Sequence, residues 1–165
     1  MKQLLLILTL SIVIGAFGGI RNDFHKKEIS ESELTRIIEN TSYPKNALTK
    51  AYKGICQTMM AEHVFLPSTK ISYFNKGKKN IDEAISNYPS HCELRYIRML
   101  VQLNAPGFLG YNKEIEDDFD VFTKELLSYK TTSYWKKKFI DGLLGSKHIE
   151  DDQVDKLKKL KSKIQ

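Results

Sequence analysis

The sequence has few cysteines and lacks the motifs that mark zinc-binding and serine-nucleophile proteins. Two cysteines in 165 residues exclude a small disulfide-rich scaffold. The motifs C-x-x-C, H-E-x-x-H and G-x-S-x-G do not occur. Sustained alternation of apolar and polar residues, the pattern of a strand, is missing after Ile20. The length and composition suit one globular domain, and no motif identifies an enzyme.

An uncharged apolar run from Gln3 to Ile20 follows Lys2, which is the pattern of an export signal. The small residues Ala16 and Gly18 predict cleavage after Gly18. The alternative is an uncleaved membrane anchor, because about 18 apolar residues just suffice to span a bilayer. We therefore expect a signal peptide at 1–18, a linker at 19–29 and a single domain at 30–165. That domain is predicted to be exported, and therefore periplasmic, secreted or anchored outside the cytoplasm.

The formal net charge is +6, and the basic residues do not form one basic arm. This distribution predicts no nucleic-acid partner. Contact with a membrane is expected only through an uncleaved N-terminal segment.

Apolar residues recur at spacings of three and four, which predicts an all-α fold with about seven helices after the signal segment. The fourth helix, at about 90–103, is apolar over the widest arc and is predicted to be the most buried. Gly54 and Thr58 mark a face where another helix could approach closely. The third helix has an apolar stripe of Ile71, Phe74, Gly77, Ile81, Ala84, Ile85 and Tyr88. The predicted helix starts are Ser30 with Glu33 as a capping box, Pro44, Pro67, Ser90, Asn112, Thr132 and Glu150.

Pro44, Pro67, Pro89 and Asn112 lie 23, 22 and 23 residues apart, which favours stacked antiparallel helical hairpins. The set Phe74, Gly77, Ile81, Ala84 and Pro89 resembles the second helix and closing proline of a tetratricopeptide repeat. The stretch from Ala51 to Asp118 is similar to small exported helical proteins of bacteria with no assigned function. These resemblances imply a tetratricopeptide-like, α-solenoid-like fold and a class of protein, with no mechanism attached.

The two cysteines are not expected to form a disulfide. If their helices are parallel neighbours, Cys56 and Cys92 are offset along the axis by roughly 13 Å, well beyond the reach of a disulfide. The same offset separates Cys56 and His63 from His91 and Cys92, so we expect no metal site. No cofactor is predicted either.

Arg95 and Arg98 are three residues apart on the most apolar helix. We expect one of them to pair with Glu114, Asp117 or Asp118 and so to fix a hairpin angle. The alternative is a site for an anion or a peptide carboxylate. The candidate ligand- or partner-binding residues are Tyr52, Glu93, Arg95, Arg98, Tyr111 and Asp117.

The leading functional hypothesis is an exported, non-enzymatic interaction or scaffold module that binds a peptide or partner protein in a helical groove. The alternative is a small exported ligand-binding protein or enzyme that uses an Arg/carboxylate pocket. The alternative requires at least one arginine or carboxylate of that pocket to be partly accessible.

Overall fold

The computed structural model describes residues 19–165, which form helices with no strand among them. The predicted all-α class is confirmed. The predicted signal segment, residues 1–18, lies outside the described residues. Residues 19–24 are helical, and a 3-10 turn spans Gly107–Leu109. Seven further helices follow in chain order: α1 (Glu31–Glu39), α2 (Ala47–Met60), α3 (Pro67–Asn87), α4 (Cys92–Gln102), α5 (Ile115–Glu125), α6 (Ser133–Leu144) and α7 (Asp151–Ser162).

Several helix ends lie where their capping residues predict them. Ser30 Oγ accepts the Glu33 N–H, and the Glu33 carboxylate accepts the Ser30 N–H, each at 3.3 Å. This reciprocal pair is the predicted capping box of α1. Thr132 caps the start of α6 through the N–H of Trp135, and Gly145 ends that helix.

Three predicted helix starts are wrong. Helix α4 begins at Cys92, after the N-cap His91, and not at Ser90. Helix α2 begins at Ala47 and not at Pro44, because Asn46 Oδ1 accepts the Thr49 N–H at 2.8 Å and so caps the helix. Helix α5 begins at Ile115 and not at Asn112. The starts of α2, α3, α4 and α5 therefore lie 20, 25 and 23 residues apart, which is less regular than predicted.

The contacts divide the chain into two compact units, the first ending at Ile81 and the second beginning at Asp82. The sequence predicts a single domain over 30–165. The boundary between the two units lies within that range and inside α3, so α3 contributes residues to both units. Residues 19–24, within the predicted linker, belong to the first unit. Ile20 and Phe24 of this stretch are buried, and the Phe24 ring lies 5.3 Å from that of Tyr52.

In the first unit, α2 and α3 form a hairpin whose backbones touch at two glycines. A Cβ added at Gly54 would lie 2.8 Å from the Gly77 carbonyl oxygen and 2.8 Å from Ile81 Cγ1. A Cβ added at Gly77 would lie 2.6 Å from Thr58 Cγ2. Because residue 54 faces 81 while 58 faces 77, the two helices run antiparallel. The close approach predicted at Gly54 and Thr58 is confirmed.

In the second unit, α4 is the central element. Nine of its eleven residues are buried, which confirms that the fourth helix is the most buried. Helix α4 packs on α5 and α6, and α6 packs on α7. The Tyr96 ring lies 6.2 Å from that of Phe122 on α5 and 4.7 Å from that of Phe139 on α6. This aromatic contact joins the three helices around one core.

A side-chain amide ties the turn between α6 and α7 to the end of α4. Asn104 Nδ2 donates to the Leu100 carbonyl at 2.7 Å and to Ser146 Oγ at 3.2 Å. Its Oδ1 accepts the Lys147 N–H at 3.2 Å. This amide fixes the position of the α6–α7 turn within the second unit.

Candidate functional site

Arg95 and Arg98 of α4 converge on one buried carboxylate, Asp118, in the first turn of α5. Asp118 Oδ1 accepts from Arg95 Nη1 and from Arg98 Nη2, and its Oδ2 accepts from Arg98 Nε, each at 2.7 Å. The Asp118 side chain is fully buried, while those of Arg95 and Arg98 are 13% and 10% exposed. A bidentate arginine–carboxylate pair of this kind fixes the angle between two helices.

Asp82 and Tyr111 extend this arrangement. Arg98 Nη1 lies 3.3 Å from Asp82 Oδ1, and that same oxygen accepts from the Tyr111 hydroxyl at 2.7 Å. Burial and the bond to Asp82 raise the pKa of Tyr111 above its ordinary value. Burial alone lowers the pKa of Arg98, but the bonds to Asp118 raise it above its ordinary value. We refer to Asp82, Arg95, Arg98, Tyr111 and Asp118 as the Asp118 cluster.

The hydrogen bonds among members of the Asp118 cluster favour a structural role for the two arginines. Arg95 Nε donates outside the cluster, to the Pro89 carbonyl at 2.8 Å, and the Asp82 side chain is 37% exposed. Of the three acidic partners proposed from the sequence, Asp118 makes the pairs. Asp117 is exposed, and Glu114 accepts instead from Gln102 Nε2 at 3.1 Å. A ligand carboxylate would have to displace Asp118 to reach both arginines.

Tyr52 belongs to the first unit and packs in its core. It is fully buried on α2, with its ring 5.3 Å from Phe24 and 5.8 Å from His25. Its surroundings are those of a core aromatic.

Glu93, in the first turn of α4, holds the side chain of Tyr129 through a hydrogen bond. Its buried carboxylate accepts from the Tyr129 hydroxyl at 2.6 Å. The Tyr129 ring meets the His91 ring edge to face, with centroids 5.3 Å apart. Glu93 therefore positions a tyrosine and a histidine side by side.

These two rings line an open cleft of about 550 Å³ in the second unit, which we call the Tyr88 cleft. The Tyr88 side chain is 56% exposed. One side of the cleft is the corner between α3 and α4, and the other is the end of α5 with the residues after it. Its lining consists of Asn87, Tyr88, Pro89, Ser90, His91, Cys92, Glu125, Ser128, Tyr129 and Lys130.

None of the candidate residues from the sequence lines this cleft. Two of them bond lining residues, since Glu93 accepts from the Tyr129 hydroxyl and Arg95 Nε donates to the Pro89 carbonyl at 2.8 Å. The apolar stripe places Tyr88 on the covered side of α3, whereas the residue follows the end of that helix and is exposed. The sequence signal for this cleft is Pro89, which cannot continue a helix and which has Tyr88 directly before it and His91 two residues after it.

Cys56 and Cys92 are buried thiols, one in each unit. Burial raises the pKa of each thiol from 9.0 to about 12, and for Cys92 the nearby charges of Glu93 and Glu125 act in the same direction. At neutral pH both thiols are protonated, so Cys92 beneath the cleft is a poor nucleophile. Among residues 19–165, no three His, Cys, Asp or Glu side chains come together as metal ligands.

Comparison with known proteins gives no relative. The chain matches no protein-family model, no curated protein and no solved structure. Across the part of the chain that the structure describes, no helix combines the length and the apolar character needed to cross a bilayer. The tetratricopeptide resemblance therefore stays a prediction.

Proposed function

We propose that this protein is an exported, non-enzymatic binding module that holds a short peptide segment of a partner in the Tyr88 cleft. The observation that carries the proposal is the cleft itself, an open cavity of about 550 Å³ bordered by an exposed tyrosine. Its volume lies within the range of known ligand sites.

The lining suits a peptide with one apolar or aromatic side chain. Tyr88 and Tyr129 offer rigid ring surfaces, and tyrosine is a common anchor at binding surfaces because ordering it costs little conformational entropy. Asn87 and Ser90 add groups that can hydrogen-bond a peptide backbone. Glu125 and Lys130 bring one charge of each sign, so the cleft has no strong preference for an anion.

The Asp118 cluster gives less support to the alternative, a ligand-binding protein or enzyme with an Arg/carboxylate pocket. Arg95 and Arg98 are both engaged by Asp118 and retain 13% and 10% side-chain exposure. A site that binds an anion needs donors that are available to the ligand.

The pairing of helices into hairpins also supports the proposed binding function. Contacts pair α2 with α3 in the first unit, and α4 with α5 in the second. Helical hairpins are the building blocks of tetratricopeptide-like binding proteins. Stacking of these hairpins in a repeat array stays a prediction.

A displayed library of random peptides tests the proposed site. We expect the chain to select peptides with an apolar or aromatic anchor, and Y88S to weaken a selected peptide by about tenfold, the effect of losing one aromatic contact. Affinity is measured by titration calorimetry.

The matched control is Y134S, since Tyr134 is another exposed tyrosine of the second unit that does not line the cleft. Equal loss of affinity in Y88S and Y134S, or no loss in Y88S, contradicts binding in the cleft. Failure to select any peptide contradicts the proposed function itself.

A further inference from the structure

The loop that joins α2 to α3 ends in a protruding apolar tip. Phe65 is 93% exposed, and its neighbour Leu66 is exposed as well. Ile71, in the first turns of α3, adds a third exposed apolar side chain. Large apolar side chains that are exposed next to one another indicate a contact with an apolar phase or partner.

Lysines are frequent in the part of the chain that contains this tip, and Lys70, Lys76, Lys78 and Lys79 lie on α3. Residues 45–79 contain seven lysines and a single acidic residue, Glu62. Lys78 and Lys79 follow Ile71 by seven and eight residues, which places all three on the same side of α3. An apolar tip is therefore continuous with a positively charged helix face in the first unit.

We propose that Phe65, Leu66, Ile71, Lys78 and Lys79, here called the tip surface, dock on a lipid bilayer that carries anionic headgroups. Aromatic and aliphatic side chains enter the boundary between headgroups and acyl chains, and lysines next to them are attracted to lipid phosphates. The charge of the helix face complements an anionic membrane.

The shape of the tip surface favours a membrane over a protein partner. A stable protein interface buries about 800 Å² on each partner and needs a surface that packs closely. A bilayer needs only a few protruding side chains that insert while flexible lysines reach the headgroups. The tip surface lies in the first unit and the Tyr88 cleft in the second, and the two share no residue.

The experiment measures insertion of the tip and not binding of the whole chain to vesicles. Binding of the whole chain would not be informative, because residues 3–20 are apolar enough to cause it. An environment-sensitive fluorophore is attached to F65C and, as the matched control, to F108C in the full chain. Phe108 is an exposed phenylalanine of the second unit. Cys56 and Cys92 are buried, so under native conditions the label attaches to the introduced cysteine.

With phosphatidylcholine vesicles containing phosphatidylglycerol, we expect the label at position 65 to shift to the blue and to be quenched by acyl-chain quenchers. The label at position 108 should do neither. Replacing the anionic lipid by phosphatidylcholine, or introducing K78E/K79E, should reduce the blue shift and the acyl-chain quenching of the label at position 65 roughly threefold, even where residues 3–20 hold the chain on the vesicle.

Three results would overturn the proposal. The first is a label at position 65 that responds no more than the one at position 108. The second is a response at position 65 that depends neither on anionic lipid nor on Lys78 and Lys79. The third is a blue shift that rises with protein concentration without vesicles, which would assign the tip surface to contact between copies of the chain. K79E alone provides the charge test should the double variant fail to fold.

Discussion

Asp118 forms ion pairs with two arginines at once, so the stability of the second unit depends strongly on this residue. Its two oxygens accept three hydrogen bonds of 2.7 Å from Arg95 and Arg98. A charge removed from water costs several kcal/mol, and only close, fully bonded partners offset that cost. The cluster is therefore stable as a complete set and unstable when one member is missing.

The variant D118N tests this dependence. Removal of the negative charge takes the carboxylate partner from Arg95 and leaves Arg98 with Asp82 alone, so we expect the free energy of unfolding to fall by about 3 kcal/mol. Urea denaturation followed by circular dichroism measures the change. D117N, at an exposed neighbouring position, should change stability by about 0.5 kcal/mol or less. Similar effects of the two variants would refute a special role for Asp118.

The sequence predicts that the arginines pair with the acidic start of α5, but it does not identify Asp118. Adjacent helix positions differ by about 100° in direction, so the acidic run faces several sides. Spacing contains the missing signal: Asp118 lies three residues after Ile115 and four before Phe122, on the apolar face of α5. A carboxylate on an apolar face is buried, and a buried carboxylate requires a cation.

At the scale of elements, the contact between Gly54 and Gly77 sets the spacing of the first hairpin. The two backbones approach so closely that no side chain fits between them. Glycine lowers helix stability by about 1 kcal/mol relative to alanine. The close packing of α2 and α3 therefore depends on two residues that are individually unfavourable in helices.

We expect G77A to destabilise the first unit by about 1–3 kcal/mol despite the better helix propensity of alanine. The new methyl group would meet Thr58 N at 2.8 Å, and backbone atoms cannot move aside cheaply. Thermal unfolding measures the effect. G107A is the control, because a Cβ there has no neighbour within 4 Å. Unchanged stability in G77A would mean that the two helices can separate at little cost.

Element types were predictable from apolar spacing, whereas the exposed ends of α3 were not. Helix α3 has 21 residues and α2 has 14, so the stripe on α3 extends beyond the part that α2 covers. By the antiparallel pairing of 58 with 77, Ile71 lies opposite a residue beyond Met60, where α2 has ended. Periodicity reports which residues share a face, and helix lengths decide how much of that face is covered.

At the scale of the whole molecule, the net charge hides an uneven distribution. The basic residues form no single arm, yet their excess over acidic residues is not spread evenly along the chain. Seven lysines and one acidic residue at 45–79 show that much of the excess lies in α2, α3 and their loop. The overall value of +6 is thus a property mainly of the first unit, where attraction to anionic surfaces is expected.

The buried thiols predict that the protein loses stability in alkaline solution. Each folded-state pKa is about 12 and the ordinary value is 9.0, so the unfolded chain releases these protons first. Their contribution is fully present below about pH 9 and is lost as the pH rises towards 12, by roughly 1 kcal/mol per thiol for each pH unit.

The urea concentration at half-unfolding, measured from pH 8 to pH 11, tests whether stability falls as the pH rises. The variant C56A/C92A keeps every lysine and tyrosine, so its midpoint should fall less steeply with pH than that of the unsubstituted chain. Parallel pH profiles of the two proteins would show that the thiols ionise in the folded state as readily as in the unfolded state.

The three-residue core of the Asp118 cluster also has an evolutionary consequence. Arg95, Arg98 and Asp118 are separated by fixed intervals, with Asp118 following Arg98 by 20 residues. Loss of one member is costly while joint replacement by apolar residues is tolerated, so these positions should covary among descendants of a common ancestor. The pattern Arg-x-x-Arg followed at this distance by a carboxylate forms a fingerprint for recognising divergent homologues.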